Sequence, residues 1–375
     1  MTNLSALIKP PLLKQGDRIA VVSPSWGGPG TFPHRYQAGK RQLIEALGVD
    51  VVEMPHALAD ADWIARNPKA RADDIMQAFS DPSIDGIIAS IGGDDSIRLI
   101  PHIDLSVIRN NPKIFMGFSD TTVMHFGCMK AGLGSFYGPS VMAGFGENCG
   151  PRDYMIQSVK RALFMPEPMG DIEPSREGWT VEHLDWADPA NQTRRRTLNP
   201  FTGPQLLQGT GSATGHLMGG CAEVMDMING SPWWPSLDAW RGAILFYETS
   251  EDAPDPKFIK YWMRNLAAQG ILQVLNGILL ARPGGQIEIA KHGEYGKAII
   301  GVLHEEGLTD MPVLANLDFG HTDPIFTLPY GVQAEIDCAT TSLRILESGV
   351  TPKPALQFPQ ARPPQTRSHP PISRE

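Results

Sequence analysis

Cysteine is scarce in this chain. Its 375 residues include four, Cys128, Cys149, Cys221 and Cys338, widely scattered and never paired as C-x-x-C. That pattern offers neither a disulfide frame nor the spacing of a structural zinc site, and it fits free thiols in a reducing compartment. No H-x-x-x-H occurs, so a metal hydrolase has no motif to stand on. No apolar run reaches the ~20 residues that a membrane helix needs. The first residues lack the basic stretch and apolar core of a signal peptide. The expected compartment is therefore the cytoplasm, with no membrane partner. Positive charge is also short: 32 Lys and Arg stand against 41 Asp and Glu, a formal charge of −9. This argues against a nucleic-acid groove, while a small anion held by backbone N–H groups and one or two arginines stays possible. The loop at 23–30 is not G-x-G-x-x-G, and its two prolines remove N–H donors, so no dinucleotide cofactor is indicated. No internal repeat is visible.

What is present is a chain long enough for two domains with real cores. Buried apolar runs at 18–23, 51–54, 86–91, 114–118 and 135–137 read as strands. Amphipathic stretches at 36–47, 69–79 and 154–164 read as helices between and after them. Strand and helix alternate throughout, which predicts an α/β fold built on a mostly parallel sheet covered on both faces. Composition shifts at 165–170, M-P-E-P-M-G, and the domain boundary is drawn there: 1–165, 166–350, and a Pro-rich tail from 351. The second part begins with a long polar loop region, 171–211, carrying Trp179, Trp186 and Arg194-Arg195-Arg196. A loop tryptophan can stack on a planar ligand or simply pack the loop down. The arginines can meet an anion or remain solvated. Then follow a helix at 221–228, strands at 242–247, 277–281 and 313–316, a helix at 256–269, and an expected hairpin pairing 325–328 with 332–336.

The chain is organised around residues 113–130, K-I-F-M-G-F-S-D-T-T-V-M-H-F-G-C-M-K. A short buried strand runs into a helix, and Ser119-Asp120 lies at the join. A serine there can be presented to substrate above free backbone N–H groups that stabilise an oxyanion. Gly117 relieves crowding at the turn. The alternative is that Ser119 or Asp120 merely caps the helix. Gly92-Gly93, directly after the strand at 86–91, exposes N–H groups that could form the second half of an oxyanion hole, or a plain turn leading into Asp94-Asp95-Ser96.

Three residues share one kind of position, a loop following a buried strand: Ser119, Glu248 and His321. They are the types that acyl chemistry needs. A serine hydroxyl requires a base, imidazole suits that role, and a carboxylate fixes the imidazole tautomer. The order Ser…Glu…His is that of α/β-hydrolases, although Thr121 replaces the second glycine of G-x-S-x-G.

Six motifs in order carry a resemblance to a known family: G-D-R-I-A-V-V-S-P-S (16–25), S-I-G-G-D-D-S (90–96), G-F-S-D-T-T (117–122), G-H-L-M-G-G (215–220), F-Y-E-T-S-E (246–251) and D-F-G-H-T-D-P (318–324). From residue 12 to 345 the chain resembles the S66 serine peptidases, the family of L,D-carboxypeptidases and microcin C immunity (MccF-like) proteins. The resemblance implies an N-terminal α/β domain carrying the serine and a C-terminal mixed α/β domain carrying Glu and His. The active site would lie in the cleft between them, in a homodimer needing no metal or cofactor. It implies Ser119 as nucleophile, His321 and Glu248 completing the triad, and N–H groups of Asp120 and of Gly92 or Gly93 as oxyanion donors. I-G-G-D-D-S and the long 179–211 insertion look like the MccF-like branch. Those proteins cleave an amide joining an aminoacyl or peptidyl group to a nucleotide-like moiety. An aromatic residue of that loop stacks on the base, and Trp186 is the candidate. Two alternatives stand beside this reading: an L,D-carboxypeptidase acting on muropeptides, and a non-catalytic small-molecule binder. Glu251, Asp252 and Asp255, which follow Glu248, would disfavour a nearby phosphate.

Overall fold

The structure, a computed structural model, describes residues 7–353; the Pro-rich tail beyond Lys353 lies outside the described residues. Fourteen strands are found among them. In the first part of the chain these are β1 (Arg18–Val22), β2 (Asp50–Glu53), β3 (Gly86–Ala89), β4 (Ile114–Gly117) and β5 (Phe136–Tyr137). The remainder are β6 (Gly170–Asp171), β7 (Gln205–Gln208), β8 (Ser212–Cys221), β9 (Ala243–Glu248), β10 (Gly277–Ala281), β11 (Val313–Leu317), β12 (Leu328–Pro329), β13 (Gln333–Asp337) and β14 (Ser342–Ile345).

Two sheets result. The first has the order β12-β5-β4-β3-β1-β2, with β2, β1, β3, β4 and β5 all parallel and only β12 antiparallel. Every residue of β3 and β4 is buried, as strands covered on both faces must be. The second sheet has the order β6-β14-β13-β8-β9-β10-β11-β7. Its centre, β8 through β11, is parallel, and its flanks are antiparallel. The expected α/β architecture is therefore present, with a mixed second sheet.

One expectation fails. Residues 325–328 and 332–336 do not form a hairpin. Leu328 and Pro329 pair with Tyr137 and Phe136 of the first sheet, while β13 pairs with β8 and β14 of the second. Pro329-Tyr330-Gly331 is thus a crossing between sheets, not a tip. The Tyr330 hydroxyl donates to the Gly219 carbonyl at 2.7 Å, tying the crossing to β8.

The carboxyl ends of the parallel strands of both sheets face one another. The helix Thr122–Ala131 that follows β4 abuts the end of β8, where the Cys221 N–H donates to Thr122 Oγ1 at 3.2 Å. Open α/β sheets bind ligands at their carboxyl ends, and here two such ends meet.

Candidate active site

Ser119 follows β4 and begins a short 3-10 turn, Ser119–Thr121, that leads into the helix Thr122–Ala131. Its φ is +62°, in the left-handed region that a serine rarely adopts. Such strain at a strand–turn–helix join is found where surrounding structure holds a reactive side chain in place. Thr121 in place of the second elbow glycine does not prevent it. Gly117 is required as expected: a Cβ there would come within 2.8 Å of Thr121 Cγ2.

Neither residue acts as a helix cap. The helix has no side-chain cap hydrogen bond. The Asp120 carboxylate instead reaches across to the loops after β1 and β3, accepting from Ser25 Oγ at 2.5 Å and from the Ser96 N–H at 2.8 Å. Ser96 Oγ returns a bond to the Asp120 carbonyl at 2.7 Å. Asp120 is fully buried, and burial raises its pKa, a cost that these donors offset. Its role is to clamp the Gly92-Gly93 loop against the serine. Arg71, buried beneath, continues the clamp by donating to the carbonyls of Pro24 and Ser25 at 3.0 and 2.9 Å and to Asp95 at 2.7 Å.

This brings Gly92 against the nucleophile candidate. A Cβ on Gly92 would lie 2.9 Å from Ser119 Oγ and 3.6 Å from the Asp120 nitrogen. Only glycine fits, and the hydroxyl therefore sits in a backbone cradle. Among the described residues no hydrogen bond occupies the N–H of Gly92 or Gly93. The Asp120 N–H belongs to the first turn of a helix, where no intrahelical partner exists.

Glu248 ends β9 and is fully buried. Its Oε2 lies 2.7 Å from His321 Nδ1, and its Oε1 accepts from the Tyr137 hydroxyl. The carboxylate thus has partners on both oxygens, which makes a buried charge tolerable. His321 sits in the loop after β11, which is fixed by the buried ion pair Asp318–Arg282, by Ser175 N–H donating to Asp318 at 2.8 Å, and by Thr180 and Asp323 exchanging backbone bonds. Burial would lower the imidazole pKa, but Glu248 overrides it, with Glu251 adding to the effect, and His321 is pushed up to about 9.

Glu248 and His321 are therefore brought together. Ser119 lies next to them: the ring of Phe118 is 5.1 Å from that of His321, and the Ser119 N–H donates to Tyr137 Oη at 3.1 Å. Among the described residues no hydrogen bond joins Ser119 Oγ to His321. Nε2 of the imidazole instead lies 3.1 Å from Oε2 of Glu251, a side chain that is 75 % exposed.

Sequence reading missed Tyr137, Ser25, Ser96 and Arg71. Tyr137 had a legible signal, since it ends a buried strand and pairs in register with Gly117. The others are polar residues common in loops, and only the fold reveals their partners.

Trp186 is half-buried in the long loop. The Arg35 guanidinium lies 4.0 Å over its ring, and a series of edge contacts links Trp186 to Phe32 (6.1 Å) and Phe32 to Trp26 (5.9 Å). Trp26 adjoins Gly93, so aromatic rings run from the cradle to Arg35. Trp179 is buried beside Arg282 and His292, packing the loop down. Arg196 is bound to Glu147 and Asp323, so it is not a free cation. His125, by contrast with His321, is wholly buried between the Gly117 carbonyl and Ser135, and burial drops its pKa to about 3.

Family models described as the LD-carboxypeptidase N-terminal and C-terminal domains match residues 19–138 and 214–336. The chain belongs to the S66 peptidase family. The Microcin C7 self-immunity protein MccF of Escherichia coli is 30% identical over 341 residues, covering 89% of this chain and 94% of its own. A Vibrio cholerae protein with a provisional carboxypeptidase name is 29% identical over 344 residues, 91% of this chain and 98% of its own. Among solved structures, an MccF-like protein from Streptococcus pneumoniae in complex with AMP superposes with a TM-score of 0.80 at 32% identity, over 88% of this chain and 99% of that one. MccF in complex with aspartyl sulfamoyl adenosine does so at 0.80 and 27% identity, over 92% and 100%. The two-domain S66 architecture expected from the motifs is thus found, and peptidase chemistry comes with the family. No helix among the described residues is long and apolar enough to cross a membrane.

Proposed function

We propose that this S66 peptidase is a serine hydrolase whose triad is Ser119, His321 and Glu248. The observation that carries the reading is the strained Ser119, seated on the Gly92 cradle and tied through Tyr137 to a buried carboxylate that already holds an imidazole. In the reaction His321 Nε2 leaves Glu251 and takes the Ser119 proton as Oγ attacks an amide carbonyl. The N–H groups of Asp120 and of Gly92 or Gly93 receive the oxyanion. The imidazolium, stabilised by Glu248, then protonates the leaving nitrogen, and water repeats the sequence on the acyl-enzyme.

For the substrate we favour an aminoacyl or peptidyl group joined by an amide to a nucleotide-like moiety. Two things support it. Relatives of this fold bind AMP and aspartyl sulfamoyl adenosine. The run of rings from Trp26 through Phe32 to Trp186 provides a stacking surface for a base, with the Arg35 charge beside it. Trp186 is the residue assigned to stacking. The homodimer belongs to this proposal on the family resemblance alone, and the cytoplasmic setting on the scattered cysteines and the sequence pattern. The L,D-carboxypeptidase reading is kept because both family models carry that description.

The test is a side-by-side assay of aminoacyl sulfamoyl adenosines and a muropeptide tetrapeptide. Release of sulfamoyl adenosine by the native enzyme, and none by Ser119→Ala, is the expected result. Turnover of the tetrapeptide alone would move the assignment to the carboxypeptidase branch. Ligand-induced thermal stabilisation with no turnover of either would make the chain a binder.

A further inference from the structure

The buried groups around Glu248 include one that the hydrolytic scheme does not use. β8 and β9 are parallel neighbours, and Cys221 stands in register with Glu248 at their carboxyl ends. Residues in register on adjacent strands point to the same side of a sheet. The loop after β11 brings His321 to that side. The Cys221 sulfur, a Glu248 carboxylate oxygen and a His321 ring nitrogen all lie within 4.8 Å of one another. We propose that these three side chains form a capture site for a thiophilic divalent cation, with Zn²⁺ as the probe ion, and that loading it switches the hydrolase off. This consequence for activity rests on the triad reading; the binding itself does not.

The donor chemistry selects the ion. Thiolate sulfur, imidazole nitrogen and carboxylate oxygen are each donors that zinc accepts, and three protein ligands suffice for a zinc site with an open fourth position. Calcium and magnesium need more oxygens than one carboxylate can supply. Zinc bonds of about 2.0–2.3 Å imply donors about 3.3–3.7 Å apart. Any donor pair wider than this draws in on loading, and the 2.7 Å contact between Glu248 and His321 opens to admit the ion. All three side chains are largely buried, at 1% exposure for Cys221 and 8% and 0% for the side chains of His321 and Glu248, so water competes weakly for the fourth position.

The exchange balances without redox change. The Cys221 thiol gives up its proton, now held toward Glu223 at 3.3 Å, and the imidazolium gives up the Nδ1 proton that it shares with Glu248 while keeping the one on Nε2. Both protons go to solvent, and three protein–metal bonds form. An imidazole so bound is no longer oriented by Glu248, and it cannot accept the Ser119 proton.

The experiment uses the full chain. Zn²⁺ is titrated calorimetrically, and Co²⁺ binding is followed by its thiolate charge-transfer absorption. The native protein is expected to take up one ion per chain with that absorption. In Cys221→Ser the absorption should vanish and the affinity fall at least tenfold, with hydrolysis in chelator unchanged. Cys221→Ala serves if the serine variant fails to fold. Equal zinc affinity in native and variant proteins, or cobalt uptake without a thiolate band, overturns the proposal. Cysteine-dependent uptake that leaves hydrolysis intact upholds the metal site and contradicts the triad instead.

Discussion

The backbone N–H of Ser119 donates to the phenolic oxygen of Tyr137, 3.1 Å away, and the same phenol donates its own proton to Glu248. A fully buried tyrosine thus connects the backbone of the proposed nucleophile, from one sheet, to the carboxylate that holds His321, from the other. Removing a bond to a charged group costs about 1.5–3 kcal/mol. Tyr137→Phe keeps the ring packing and loses both bonds. The expected outcome is a fall in kcat of about 10- to 100-fold with KM little changed. Loss of KM alone would show that the phenol serves binding.

Gly92 gives a steric test of the proposed oxyanion cradle. A methyl group there would lie 2.8 Å from Ser119 Cβ, too close for either residue to stay in place. Gly92→Ala should lower kcat by about 10²- to 10³-fold, the range seen when one oxyanion donor is lost. The unfolding midpoint should move by only a few degrees. Steady-state kinetics and a thermal melt check both.

The pH dependence follows from His321, whose pKa stands at about 9 in the fold against 6.5 for a free imidazole. As the proposed base, His321 must be neutral to act, so kcat/KM should rise with pH to a midpoint near 9. Stability has the opposite sense. Because the folded pKa is raised, the ion pair contributes fully below 6.5 and is lost as pH climbs through about 9. Glu248→Gln should shift the kinetic midpoint downward and melt earlier than the native enzyme at pH 6, the difference shrinking above pH 9. A midpoint unmoved by this variant would dissociate Glu248 from the base.

Glu251 faces the same imidazole from solvent, 3.1 Å from Nε2. Because it is mostly exposed, its pairing is screened and weak, about 0.2–1 kcal/mol. Glu251→Gln should free Nε2 for the Ser119 hydroxyl and raise the rate near neutral pH, by no more than about fivefold. A loss of rate would instead assign Glu251 to substrate binding.

How much was readable before folding differs by element. The parallel strands announced themselves because burial on both faces makes them continuous apolar runs, as in Ile114–Gly117 and Ala243–Glu248. Candidate residues at their ends could be picked out by position, and the ordered family motifs then singled out Ser119, Glu248 and His321. The helix His292–Glu305 went unread because Gly293, Gly296 and Gly301 dilute its pattern. β12 was misread because a two-residue strand at a proline has no periodicity, and its partner lies nearly two hundred residues earlier. Asp120 offered a cap signal that its actual partners, Ser25 and Ser96, override; such pairings are set by tertiary contact and leave no local trace.

The most direct measurement is active-site labelling. The protein is treated with a fluorophosphonate near pH 9, where His321 is losing its proton, and then digested and mapped by mass spectrometry. One adduct on Ser119, abolished in His321→Ala and strongly slowed in Glu248→Gln, is the expected result. Unlabelled Ser119 in a protein that still hydrolyses its substrate would contradict the assignment of the nucleophile.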